Sequence, residues 1–280
     1  MKFFLLVICL FFLLSCTNNN NTIKVKGSDT EVNLAVLLAE AFHQEDDKLL
    51  VSISGGGSGL GIASLLNGNA DIANSSRNIN NDEMELFYKR NISLGSFIFA
   101  QDAIAFVVSD KLLIDSISDA DLSKILSGEQ KDWSFLTNEK IPINIYGRQS
   151  NSGTHDFVKQ ILNIHFSPYA KQMNGNAQIL EAIKADNSGI GYVGAGYVMK
   201  GNAHGIKVLK IYVNNHASVS PLDAEKIASG EYYFQRPLFQ YYKVSDYEKV
   251  KPFLDFEKTE KGAAIIHSSG YYPVIKQNDK

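Results

Sequence analysis

The sequence predicts an α/β protein with largely parallel sheets, and three observations lead there. Short apolar runs of period two alternate along the 280 residues with runs whose apolar side chains recur every three or four positions. The turns leading from the first kind to the second are rich in Gly, Ser and Thr. One longer run, Ile98 to Val108, is almost continuously apolar, which suits a strand covered on both faces.

In chain order, Ile23 to Val25 is a short strand entering Gly27-Ser28-Asp29-Thr30. From Glu31 to about Gln44 the positions Val32, Ala35, Val36, Ala39 and Phe42 keep helical spacing. Ser28 and Glu31 have the spacing of a capping box. Leu49 to Ile53 gives a second strand, after which Gly55-Gly-Gly-Ser58-Gly59 opens a helix carrying Leu60, Ile62, Leu65 and Leu66 that Gly68 stops. Ala70 to Ala73 is a third apolar piece, followed by Asn74-Ser75-Ser76-Arg77 and a polar helical run from Asn80 toward Tyr88. The long run Ile98 to Val108 is expected to cross between two lobes.

Leu122 to Leu126 reads as a short helix. Ile141, Ile143 and Ile145 alternate as in a strand that runs into Gly147-Arg148-Gln149-Ser150-Asn151-Ser152-Gly153-Thr154, and Phe157 and Ile161 sit four apart on the helix beyond. Ala177 to Ala185 is a helix, Gly189 to Gly194 a Gly-rich strand or turn, and Ile206 to Ile211 a second candidate crossover. Arg236 to Tyr242 is an aromatic strand, and helices follow near Tyr247 to Phe256 and Glu260 to His267, the last ended by Gly270 before a Tyr271 to Ile275 tail. Tyr232, Tyr233, Phe234, Phe239, Tyr241 and Tyr242 offer stacking surfaces for sugars or bases, but alternation in an amphipathic strand explains them more simply.

The N-terminus reads as a leader. Met1-Lys2 precedes an apolar run from Phe3 to Leu14 that is well short of the roughly 20 residues a membrane span needs. Leu13-Leu14-Ser15-Cys16 then resembles a lipobox, with Leu14 bulkier than usual, which makes Cys16 the expected acylated first residue of the mature chain. An ordinary signal peptide with an incidental Cys is the weaker reading. Cys9, the other cysteine, lies inside the leader, so no disulfide and no cysteine metal cluster is expected. Thr17 to Thr22, with four consecutive Asn, reads as a polar tether. The formal net charge of -3 gives no general pull on nucleic acid, so any anion site must be local.

Four turns supply such a site: Ser28 to Thr30, Gly55 to Gly59, Ser75 to Arg77, and Arg148 to Thr154. In an open parallel sheet such turns gather at the carboxyl edge of the strands, where helix N-termini offer unpaired N–H groups and about half a positive charge each. With Arg148 and Arg77 they suit a dianion held without metal. Taken singly, each turn is explained by capping, by Gly flexibility, or, for Arg77, by surface exposure or a pair with Asp29 or Asp71. It is the coincidence of four that favours a site.

Enzyme motifs fit less well. No Lys follows the glycines of 55 to 61 as a P-loop requires, and Leu60 occupies the second Gly position of a nucleophile elbow around Ser58. Gly57 to Ile62 lacks the last glycine of a dinucleotide fingerprint. The six His are scattered with no His-x-x-x-His pair, so neither a metal nor another cofactor is expected. His155 is expected in a first helical turn with an exposed ring.

Gly-Ser-Asp-Thr at 27 to 30, Gly-Gly-Gly-Ser-Gly at 55 to 59, Asp-Ile-Ala-Asn-Ser-Ser-Arg at 71 to 77, Arg-Gln-Ser-Asn-Ser-Gly-Thr at 148 to 154 and Gly-Ile-Gly-Tyr-Val-Gly at 189 to 194 occur together in this order. On these motifs the chain, from about Ile23 to Val274, resembles the phosphate-binding proteins of Pst-type phosphate ABC importers, of periplasmic binding protein type II. The resemblance implies a two-lobe Venus-flytrap fold with two crossover strands and the ligand in the cleft. It implies that Arg148, Ser152, Gly153 and Thr154 bind phosphate from one lobe, and Asp29, Thr30, Ser58 and Ser76 from the other. Ser28 and Arg77, in the same turns, complete the expected set.

Two positions depart from relatives: Ser76 stands where some have an Asp that accepts the ligand's proton, and Ser150 where some have an acid that steadies the Arg. Asp29 is the acid expected to take the first role, since sulfate has no proton to offer an acceptor. The expected organisation is a leader over 1–16, a tether over 17–22, lobe one over 23–101 and 206–280, and lobe two over 102–205. The expected function is an exported, membrane-anchored, monomeric lipoprotein that hands inorganic phosphate to a permease without chemistry. A receptor for sulfate, molybdate or tungstate, a secreted phosphoesterase, and an adhesin retaining the fold are the alternatives.

Overall fold

The computed structural model describes residues 21–137, 139–199, 204–214 and 216–274; the expected leader, Cys16 and most of the tether lie outside them. Thr22–Gly27 (β1), Val32–His43 (α1), Leu50–Ser54 (β2), Ser58–Leu66 (α2), Ile72–Ser75 (β3) and Asn81–Lys89 (α3) follow one another as the periodicity predicts. β1 lies between β2 and β3 and is parallel to both. Its alternation decides the packing: Ile23 and Val25 are buried with Leu34 and Leu38 of α1, while Lys24 faces out. Ile62 and Leu65 of α2 join Phe87 of α3 in a separate cluster with Phe239 and Tyr241.

Leu94–Ser109 (β4) is a single strand of 16 residues shared by both parts of the molecule. Its start pairs antiparallel with Gln235–Lys243 (β11), and its end pairs antiparallel with Gly189–Gly194 (β8). Residues 103 to 108 are buried on both faces, which accounts for the unbroken apolar run. This is the crossover expected for Ile98 to Val108.

A second core fills the middle of the chain. Ser116–Ser118 (β5), Asp119–Ser127 (α4), Asn144–Arg148 (β6), Gly153–Ile161 (α5), Lys171–Met173 (β7), Asn176–Ala185 (α6), β8, Ile206–Val208 (β9), Lys210–Tyr212 (β10) and Ala224–Ala228 (α7) enclose it. β6 is parallel to β7 and β8, and Trp133, Ile179, Ile183, Tyr192 and Phe106 pack inside. Tyr247–Glu257 (α8) and Glu260–Ser268 (α9) complete the first core, and Tyr272–Pro273 (β12) pairs antiparallel with β4.

The large sheet runs β2-β1-β3-β11-β4-β8-β6-β7. Two expectations change. The sets β2-β1-β3 and β8-β6-β7 are parallel, but β3, β11, β4 and β8 meet antiparallel, because a strand shared by both parts needs a returning neighbour. Ile206 to Ile211 makes no second crossover: β9 pairs with the end of β4, β10 pairs with β5, and Ile227, Tyr232 and Phe234 still lie in the second core. The chain returns at 234 to 236, where β11 begins.

Candidate functional site

Gly27 sets the approach of the first turn. Its φ of +142° and the Asn74 carbonyl against its α-carbon leave no room for a Cβ, and Ser28 N donates to that carbonyl at 2.9 Å. Ser28 and Glu31 form no capping box. Instead Asp29–Glu31 is a 3-10 turn ahead of α1, Ser28 makes no capping bond, and its hydroxyl donates to Ser76 Oγ at 3.0 Å. Ser76 N donates to Ser58 Oγ at 3.1 Å, and the two hydroxyls stand 3.4 Å apart. Ser28, Ser58 and Ser76 are thus one buried cluster of hydroxyls on the first core.

The second core presents the N-terminus of α5 to them. Ser152 caps it, accepting from Thr154 N at 3.2 Å. A Cβ on Gly153 would collide with both Ser58 Oγ and Ser76 Oγ, so this position tolerates no side chain while the two parts are together. Thr154 Oγ1 is 2.8 Å from Thr30 Oγ1 across the division. Gly59 N donates to Asn151 O at 3.0 Å, and Asn151 Nδ2 donates to Gly56 O at 3.3 Å.

Two buried guanidinium groups flank these hydroxyls. Arg148 Nη1 donates to Asp29 Oδ2 at 3.3 Å and Nη2 to Asn174 O at 2.9 Å, while Nε has no partner. Burial lowers its pKa, with Asp29 opposing the shift. Asp29 Oδ2 also accepts from Asn176 N at 2.8 Å and Asn176 Nδ2 at 2.7 Å, at the N-terminus of α6. Asp29 therefore orients Arg148, the task left unassigned by Ser150.

Arg236, on β11, was not singled out by the sequence. It donates to Asp102 Oδ2 through Nε at 3.1 Å and Nη2 at 2.9 Å, to Ser76 O through Nη1 at 3.1 Å, and through Nη2 to Thr154 Oγ1 at 3.0 Å and Thr30 Oγ1 at 3.3 Å. Burial raises the pKa of Asp102 against the pull of Arg236. A signal existed: Asp102 is the one charge in β4, Arg236 is the one buried charge in β11, and the two strands are neighbours.

Nine of the ten expected residues come together: Ser28, Asp29, Thr30, Ser58, Ser76, Arg148, Ser152, Gly153 and Thr154. Arg77 does not turn toward them. Glu83 grips it at 2.7 Å through two nitrogens, and its Nε is 3.6 Å from Asp156. It thus pairs with neither Asp29 nor Asp71, the latter being bonded to Lys249. The Ser75 to Arg77 turn also lacks a helix directly behind it, since α3 begins only at Asn81 with Asn80 as cap. His155 is half-buried against Phe166, with ring centroids 4.5 Å apart, and burial lowers its pKa. No group of three or more His, Cys, Asp or Glu able to hold a metal occurs among the described residues. The arrangement can grip a compact anion by hydroxyls, a helix N-terminus and cations.

A family model described as a PBP superfamily domain matches residues 16–258. The phosphate-binding protein PstS of Borreliella burgdorferi is 28% identical over 284 residues, covering 95% of this chain and 97% of that protein. A Clostridium perfringens structure assigned as a phosphate ABC transporter substrate-binding protein with bound phosphate superposes with TM-score 0.82 at 22% identity, covering 91% of this chain and all of the other. An ABC-type phosphate transport receptor from Vibrio cholerae gives TM-score 0.70 at 24% identity over 89% of this chain and 99% of that one. The shared architecture is the two-lobe periplasmic-binding-protein fold.

Proposed function

Since the chain belongs to the PBP superfamily, we propose that it is an extracytoplasmic receptor that captures inorganic phosphate and delivers it to an ABC importer. The observation that carries the reading is the meeting of Ser28, Thr30, Ser58 and Ser76 with Arg148, Ser152, Gly153 and Thr154 across two cores, with Arg236 behind. Such donors bind a tetrahedral dianion by charge-assisted hydrogen bonds, which strengthen as closure excludes water. The relatives are transport receptors rather than enzymes, and no step here breaks a bond.

Lobe one comprises about residues 22–102 and 235–274, and lobe two the segment between, with β4 and the start of β11 as the two connections. Cys16 carries the lipid that holds the receptor at a bacterial membrane, where it acts as a monomer. Titration calorimetry with phosphate, sulfate and molybdate, beside a chromogenic phosphate ester, tests the reading. Stoichiometric phosphate binding without turnover is expected. Release of the chromophore, or preference for another oxyanion, would overturn it.

A further inference from the structure

Behind the hydroxyl cluster lies Glu31, the last residue of the 3-10 turn. It is fully buried, and neither carboxyl oxygen has a hydrogen-bond partner. The Ser28 hydroxyl stands beside it but is directed at Ser76 Oγ. Glu257, which faces this acid, also has an unpartnered oxygen, Oε2, while its Oε1 accepts from Gln240 Nε2 at 3.0 Å. A buried carboxyl with neither oxygen partnered calls for a proton.

The charged groups facing Glu31 are Arg236 from β11, Asp102 from β4 and Glu257 from α8, with the phenols of Tyr241 and Tyr271 also near. Burial is the largest influence and raises its pKa, Asp102 and Glu257 act in the same direction, and Ser28 and Arg236 oppose it. Asp29 is less free to take this part. Its Oδ2 already accepts three donors from the second core.

We propose that Glu31 is a positioning residue that sets the direction of the Ser28–Ser76–Ser58 hydroxyl chain, so that capture of a dianion is coupled to proton uptake at this carboxyl. The inference rests on the oxyanion-receptor reading above. Each hydroxyl has one proton to give. With Glu31 protonated, the acid donates to Ser28 Oγ, Ser28 to Ser76, and the last hydroxyl is left to donate to the anion. With Glu31 ionised, Ser28 turns back to the carboxylate, the chain reverses, and a buried negative charge stands behind a dianion. The anion therefore favours the protonated form, and by reciprocity its binding draws a proton from the buffer at any pH between the free and bound pKa values of Glu31.

The test is titration calorimetry of the whole protein with inorganic phosphate, at alkaline pH where hydrogen phosphate dominates, in buffers of different ionisation enthalpy. The wild type should take up a fraction of a proton per phosphate bound. Glu31→Gln should take up none, and its affinity should stop falling as pH rises. Glu31→Asp should restore the uptake, and Glu257→Gln should leave it in place. Uptake that survives in Glu31→Gln, or disappears in Glu257→Gln, overturns the inference. So does a wild type that binds phosphate with no proton exchange, a result that leaves the receptor reading intact. A wild type that binds no phosphate overturns both.

Discussion

At the scale of single residues, Arg236 and Asp102 show why a buried charge is poor evidence of stability and good evidence of purpose. The pair is enclosed, and Asp102 Oδ1 has no partner, so the ions are not fully compensated. Arg236→Gln should lower stability by about 3–5 kcal/mol, because it strands a buried carboxylate. Arg236→Met with Asp102→Leu should recover most of that loss in chemical denaturation yet fail to bind phosphate in calorimetry. Recovery of binding in the double variant would show the guanidinium to be scaffolding only. Asp29 differs, since it reaches across the division to Arg148 and Asn176. Asp29→Asn should weaken phosphate binding by about tenfold, ~1.4 kcal/mol, through loss of that orientation, with little change in thermal stability.

Among the elements, α8 and β11 carry a measurable pH dependence. Burial, opposed by the bond from Gln240, lifts Glu257 from the usual 4.5 to about 8. The native protein therefore keeps a proton that the unfolded chain releases. This stabilisation is complete below about 4.5 and lost as pH rises through about 8. Within the window each pH unit is worth at most about 1.4 kcal/mol for one such group. Urea unfolding at the two ends should show the wild type weakening with pH and Glu257→Gln weakening less. The elements themselves were legible because period two and period 3.6 report burial directly, as at Ile23 and Val25 or along α6. Motifs local to a turn, such as Ser152 to Thr154, were legible because a capping Ser, a Gly and a hydroxyl at a helix start lie within a few residues of one another. Long-range pairs were not: nothing near Arg77 announces Asp156, and the apolar run Ile206 to Ile211 does not say which part of β4 it will meet.

For the molecule as a whole, the contacts across the division describe a closed form. Asn151 O on Gly59 N, Thr30 on Thr154, Asp29 on Asn176 and Arg77 near Asp156 all join the two parts. Gly153→Ala places a methyl where Ser58 and Ser76 hydroxyls stand, so it should block closure without disturbing either core. Solution scattering with phosphate should show the wild type contract and Gly153→Ala stay extended, with affinity at least about tenfold lower, ~1.4 kcal/mol. The position of β11 has a further consequence, for the order of events when the chain is made. It lies between β3 and β4 and joins them, but it is synthesised about 140 residues after β4 begins. The lobe that starts first is finished last. Until residue 243 is available, β3 and β4 have no common neighbour, and the nascent protein carries two open strand edges while the second core can already collapse.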